Sequence, residues 1–176
     1  MTESAPYEVL ETIENVEIRQ YPTLVLAKVT GLSDDYAFRV LFRYITGENK
    51  PRKEVAMTVP VISTGTTYKR IAMTRPVISD DLSFSFVMPS IYSISTVPEP
   101  LDERVKMTEI RARKLAVLRF SGRAHEDAVK ERQWELLKTL EKKNIKAKGE
   151  PFLMRYNGPG APGFLRRNEI AVELVA

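Results

Sequence analysis

Apolar positions along the chain fall into two kinds of pattern. Leu24-Val25-Leu26-Ala27 and Leu115-Ala116-Val117-Leu118 are unbroken apolar runs, as expected of central strands covered on both faces. Elsewhere the spacing turns helical. After Gly31, the side chains of Ser33, Asp34 and Asp35 can accept the free amide hydrogens of a first turn. Ala37, Val40, Leu41, Tyr44 and Ile45 then follow at the spacing of an amphipathic helix, with Gly47 as its stop. Val129, Leu136, Leu137 and Leu140 mark the stripe of a second, longer helix that ends near Lys143-Asn144. Each helix precedes two strand-like stretches. These are 53–62 and 82–88 in the first half, with a hairpin over 66–78 between them, and 151–157 and 166–175 in the second.

The two halves also begin alike. Residues 17–31 open with Glu-Ile-Arg, run through a β-rich segment and end at Thr30-Gly31; residues 109–122 open with Glu-Ile-Arg and end at Ser121-Gly122. An internal repeat of this kind predicts β-α-β-β twice. We therefore read residues 1–176 as one domain of two pseudo-symmetric modules, about 7–97 and about 102–176. The proline-rich segment 97–102 joins them. The expected fold is α+β: a mostly antiparallel sheet or distorted open barrel, two outer helices, and a cleft between the halves.

Composition narrows the chemistry. With 176 residues, 43% of them hydrophobic and 28% charged, the chain can bury a core, and wholesale disorder is excluded. It has no cysteine, which excludes disulfides, thiol catalysis, thiolate zinc, iron–sulfur clusters and C-x-x-C-H haem attachment. A single histidine excludes a multi-histidine metal site. No stretch approaches the roughly 20 apolar residues of a membrane helix, and the start resembles no secretory signal, so a cytoplasmic protein is expected. The net charge of +4 comes with no nucleic-acid motif, and no nucleic-acid partner is expected.

Several constellations have both a plain and a functional reading. Ala56-Met57-Thr58-Val59-Pro60-Val61-Ile62 recurs as Ala72-Met73-Thr74-Arg75-Pro76-Val77-Ile78. This is either a duplicated hairpin or a pair of thioethers, Met57 and Met73, on one wall of an apolar pocket. Phe38 and Phe42 lie one helical turn apart on the flank of the first helix, with Arg39 and Arg43 continuing round it. They either thicken the core or form an aromatic edge fringed by guanidinium groups, suited to a flat apolar ligand with carboxylates. His125, at the expected start of the second helix, is a capping or surface residue or a weak candidate for haem iron.

Gly158-Pro159-Gly160-Ala161-Pro162-Gly163 matches G-x-G-x-x-G in form only. It opens no helix and its prolines lack amide donors, so it reads as a hairpin loop or a lid rather than a dinucleotide site. Glu169 is either an edge carboxylate or a weak candidate for general base. An enzyme would use Glu169 or a cleft tyrosine such as Tyr44; no acid/base pair stands out, but a single buried carboxylate with a raised pKa would suffice.

Taken in order, the residues form a wider pattern. Tyr7-Glu8-Val9, Val16-Glu17-Ile18-Arg19 and Tyr21 come first, then Ala37-Phe38, Leu41, Tyr44-Ile45, Gly47 and Asn49. Ala56-Met57-Thr58, Pro60-Val61, Phe86-Val87-Met88-Pro89 and Pro98-Glu99-Pro100 follow, and Phe120-Ser121-Gly122 and Arg167-Asn168-Glu169-Ile170 complete the set. Over nearly its whole length the chain resembles the SOUL haem-binding protein family. The resemblance implies two β-α-β-β modules like those of gyrase-inhibitor-type domains. It also implies reversible, non-covalent haem or tetrapyrrole binding in a shallow apolar cleft beside the first helix.

On that reading Phe38, Leu41, Phe42, Met57 and Met73 line the site, and Arg39, Arg43 or Lys53 pair with the propionates. Some family members carry a histidine near the first helix. This chain has none there, and His125 lies elsewhere, so the axial ligand is left open and no metal ligand is assigned. The expected role is a carrier or buffer. The alternatives are a sensor of other amphipathic small molecules, an enzyme using a cleft carboxylate, or an interaction module built on the Phe38/Phe42 edge. The oligomeric state is also open.

Overall fold

The first helix forms where the apolar spacing predicts it. Helix α1 spans Asp34–Thr46, and its buried residues are Ala37, Val40, Leu41, Tyr44 and Ile45. Ser33, in extended geometry before the first turn, accepts the Tyr36 amide hydrogen on its side chain. Gly47 ends the helix at φ 148°, donating its amide hydrogen to the Arg43 carbonyl, in a conformation that side chains with a Cβ rarely adopt. Helix α2 spans Glu126–Lys142 and buries Leu136, Thr139 and Leu140. The computed structural model describes residues 3–50, 69–158 and 160–176, and α1 and α2 are the α-helices among them. Neither is long and apolar enough to cross a membrane.

In chain order the strands are β1 (Glu3–Ser4), β2 (Glu8–Ile13), β3 (Val16–Tyr21), β4 (Leu24–Thr30), β5 (Asn49–Lys50) and β6 (Thr74–Ser79). After these come β7 (Ser83–Val87), β8 (Glu99–Pro100), β9 (Lys106–Ile110), β10 (Arg113–Ser121), β11 (Ala147–Arg155) and β12 (Arg167–Leu174). The fold is α+β and mostly antiparallel, as the pattern predicts. Strands β7, β11 and β12 occupy three of the strand-like stretches; 53–62 lies outside the described residues. Only part of the hairpin expected over 66–78 is described. There β6 forms, and it pairs with β1 and β11.

The chain divides into two compact units. The first comprises Met1–Ala5, Leu24–Arg75 and Asp81–Ile110. In it β4 runs antiparallel to β7 on one side and β9 on the other, β1 runs parallel to the first residues of β6, and β5 pairs with β8. Helix α1 packs on β4 and β7, so Leu41, Tyr44 and Phe86 are almost wholly enclosed.

The second unit comprises Pro6–Thr23, Pro76–Asp80 and Arg111–Ala176. Its strand order is β2-β3-β10-β12-β11-β6, antiparallel at every step and not closed into a barrel. Val16, Ile18, Ala116, Leu118, Ile170 and Val172 pack against Leu136 and Leu140 of α2 in one core. Side chains alternate along a strand, so Glu17, Arg19, Val117, Glu169 and Ala171 point to the opposite face. That alternation puts two buried charged residues, Arg19 and Glu169, on the face of the sheet away from α2.

Candidate functional site

In the first unit an aromatic ladder climbs from the core to the surface of α1. Phe84 and Phe86 of β7 lie 6.3 Å apart between ring centroids. Phe86 meets Phe38 edge-on at 5.3 Å, and Phe38 stacks on Phe42 at 5.9 Å with 12° between ring planes. Phe86 is buried and Phe42 is 46% exposed, so the ladder ends in an open apolar face braced from below. Arg39 follows Phe42 round the helix and is exposed. Arg43 lies further round, with a loose ion pair to Glu48 at 3.7 Å.

Beyond Arg43, Arg104 stacks over the Tyr36 ring at 5.2 Å and donates to its hydroxyl at 2.7 Å. Arg104 also holds Asp102 at 2.6 Å, and these hydrogen bonds bring the Asp102 carboxyl down to about 2. The outer surface of α1 is therefore an aromatic patch beside a cationic one.

The other sequence-predicted residues fall in different environments. Leu41 is fully buried and offers no surface; it holds α1 to its sheet. Met73 is half-buried just before β6, while Lys53 and Met57 lie outside the described residues. Tyr44 is enclosed, and its hydroxyl donates to the Pro98 carbonyl, which commits it to structure. His125 is the exposed residue immediately before α2, and its side chain makes no capping hydrogen bond. Among the described residues no group of three or more His, Asp or Glu is arranged to hold a metal ion.

In the second unit Glu169 is 0% and Arg19 2% exposed, and they form a bidentate pair at 2.9 and 2.7 Å. Arg19 also donates to Glu17 at 2.8 and 2.7 Å and to the Tyr21 hydroxyl at 2.9 Å. All five of its N–H groups are thereby used. Arg167 adds a second cation to Glu169 at 2.9 Å and donates to the Tyr7 hydroxyl at 3.1 Å. Each guanidinium caps an aromatic ring at 4.0 Å, Arg19 over Tyr7 and Arg167 over Tyr156.

Burial alone would raise the Glu169 pKa, but hydrogen bonds from Arg19 and the charges of both arginines outweigh it and hold the carboxyl below its usual range. Burial raises Tyr21 and Tyr156, the latter reinforced by the Glu169 charge, so both stay neutral. For Glu169 the direction is opposite to the raised pKa considered for a catalytic role. The ionised carboxylate is favoured, held by two arginines.

Sequence reasoning named Glu169 and set Arg19 and Tyr21 in a motif, but it missed their meeting across 150 positions. The available signal was a charged residue on each of two strands that otherwise read as buried. It also missed a groove of about 520 Å³ beside α2, lined by Glu14, Trp134, Lys138, Thr139 and Lys142 among others.

These features define an α+β fold shared with several solved structures. A hydrolase from Listeria innocua aligns with a TM-score of 0.56 at 10% identity, covering 94% of each chain. The EcmrR C-terminal domain aligns at 0.53 and 11%, covering 96% of this chain and 98% of that one. EcmrR in a cryo-EM complex with DNA aligns at 0.56 and 11%, covering 90% of this chain and 56% of that one. At such identities the likeness is one of fold alone. No curated protein matches the chain. The family model for SOUL heme-binding protein matches residues 2–173, and the chain belongs to that family.

Proposed function

We propose that the protein binds haem or a related tetrapyrrole reversibly and non-covalently on the flank of α1, as a cytoplasmic carrier or buffer without chemistry of its own. Family membership supports the ligand class. The observation that carries the reading is the ladder Phe84–Phe86–Phe38–Phe42, which presents a braced, half-exposed aromatic face. A planar macrocycle stacks on Phe38 and Phe42, and Arg39 and Arg43 pair with its propionates. Met57 and Met73 belong to the apolar side of this reading, and Lys53 is a further propionate partner. His125 is assigned no role at the iron. The pairing of the Glu169 carboxylate with two arginines favours its ionised form and argues against an acid–base role for it.

Titration with haem and with iron-free protoporphyrin, followed by absorbance, tests the reading. Both bind below about 10 μM, roughly −7 kcal/mol. Because stacking and propionate pairing supply the affinity, the two constants agree within about threefold. Phe42→Ala weakens both by about tenfold, in line with one lost aromatic contact of about 1.4 kcal/mol. Failure of both macrocycles to bind would end the proposal.

A further inference from the structure

The turn between β11 and β12 holds two large apolar side chains out in solvent. Phe164 is 80% and Leu165 61% exposed, side by side on the short 3-10 helix Gly163–Leu165. Exposed apolar residues are commonplace singly, but adjacent ones on a fixed tip are not. The tip is fixed by backbone bonds from Leu165 to Pro162 and from Arg166 to Gly163, and by the Arg166 side chain on the Ala161 carbonyl at 2.9 Å. The Gly122 amide also donates to the Gly163 carbonyl at 3.0 Å, and buried Asn168 holds the Gly122 carbonyl at 2.7 Å. The chain therefore holds these two side chains outward with hydrogen bonds on both sides.

Arginines cluster around the tip. Arg123 has its Cγ 3.8 Å from where a Gly163 side chain would begin, and Arg166 and Arg167 follow Leu165 directly. Arg119 lies in register opposite Glu169 on the neighbouring strand and is exposed. Of the nearby carboxylates, Glu169 is enclosed between Arg19 and Arg167, while Glu126 and Asp127 sit in the first turn of α2. An apolar tip within a collar of arginines matches an anionic bilayer, where apolar groups enter the acyl boundary and cations meet the headgroups. A second copy of the chain would bring the same cationic collar against it.

We propose that the Gly163–Leu165 turn is a membrane-surface anchor that inserts Phe164 and Leu165 into anionic lipid. The inference is independent of the haem reading.

Co-sedimentation of the full chain with phosphatidylcholine vesicles, with and without about 30% phosphatidylserine, tests it. Binding is expected to the anionic vesicles and to weaken with salt. The double substitution Phe164→Ser and Leu165→Ser, at exposed positions, lowers partitioning at least tenfold. Arg123→Gln lowers it about fivefold. In a Trp134→Phe background, Phe164→Trp shows a blue-shifted emission with these vesicles. No binding to anionic vesicles, or binding that the double substitution leaves unchanged, would overturn the proposal. So would a dimer that the double substitution dissolves in a protein that ignores lipid.

Discussion

Arg19 shows how much one side chain can commit. It lies inside the second unit with every N–H donor used, and its partners Glu17, Tyr21 and Glu169 stand on two strands separated by β10. Removing Glu169 takes one of its two carboxylates from buried Arg19 and takes the same partner from Arg167, which costs more than the intact pair contributes. Glu169→Gln is therefore expected to lower unfolding free energy by about 3 kcal/mol at pH 7. Arg19→Met combined with Glu169→Leu should recover much of that loss, because neither charge then needs a partner. The folded-state pKa of Glu169 lies below its unfolded value. Its contribution is thus full above the ordinary carboxylate value of about 4.3 and falls away as acid takes the pH down through the lowered folded value. Urea midpoints from pH 7 to pH 3 check the sign: Glu169→Gln should flatten the acid limb relative to the parent. A variant as acid-sensitive as the parent would show that the cluster does not govern the acid limb. The pair was not legible from the chain, because each member looks like a lone charge in a strand and only the fold brings them together.

Helix α1 was legible end to end, because caps are local chemistry: Ser33 supplies an acceptor and Gly47 a permitted backbone. Strand β2 was not legible, because it is an edge strand whose burial pattern shows no alternation. The aromatic flank lies between these cases. Phe38 and Phe42 were visible at helical spacing, while the Phe86 that braces them needed the fold. Just past α1, Asn49 is 2% exposed and works as a piece of backbone. Its Nδ2 donates to the Tyr44 carbonyl at 2.7 Å and the Lys69 carbonyl at 2.6 Å, and its Oδ1 accepts the Lys69 amide hydrogen at 2.8 Å. The side chain thus ties the end of the proposed binding helix to the segment entering β6. Asn49→Ala strands these groups and is expected to cost about 2–4 kcal/mol. Asn49→Asp keeps the acceptor but turns a charged oxygen on two carbonyls, and should cost more at neutral pH than at pH 3. Thermal unfolding of both variants measures this; a loss under about 0.5 kcal/mol for the alanine variant would mean that other groups replace its bonds.

At the scale of the whole molecule the chain is interleaved: it passes from one unit to the other at 5/6, 23/24, 75/76, 80/81 and 110/111. The two segments that open with Glu-Ile-Arg take part in this, for 17–31 becomes β3 in the second unit and β4 in the first. The other, 109–122, runs from the end of β9 in the first unit into β10 in the second. Cutting after residue 110 leaves 111–176 with α2, β10, β11 and β12, yet without most of what completes them. Strand β10 loses β3 along one edge, and β11 loses β6. The core on α2 loses Val16 and Ile18, and Glu169 loses Arg19 and keeps Arg167. With two strand edges opened and a carboxylate deprived of one of its two arginines, the fragment 111–176 is expected to lack a cooperative unfolding transition and a dispersed amide spectrum. Supplying 1–110 on a separate chain restores every missing partner, so the mixed halves should recover both, at the cost of bringing two chains together. A fragment 111–176 that folds alone would show that α2 and three strands suffice, and that the ion cluster is an accessory of the second unit rather than a condition of its folding.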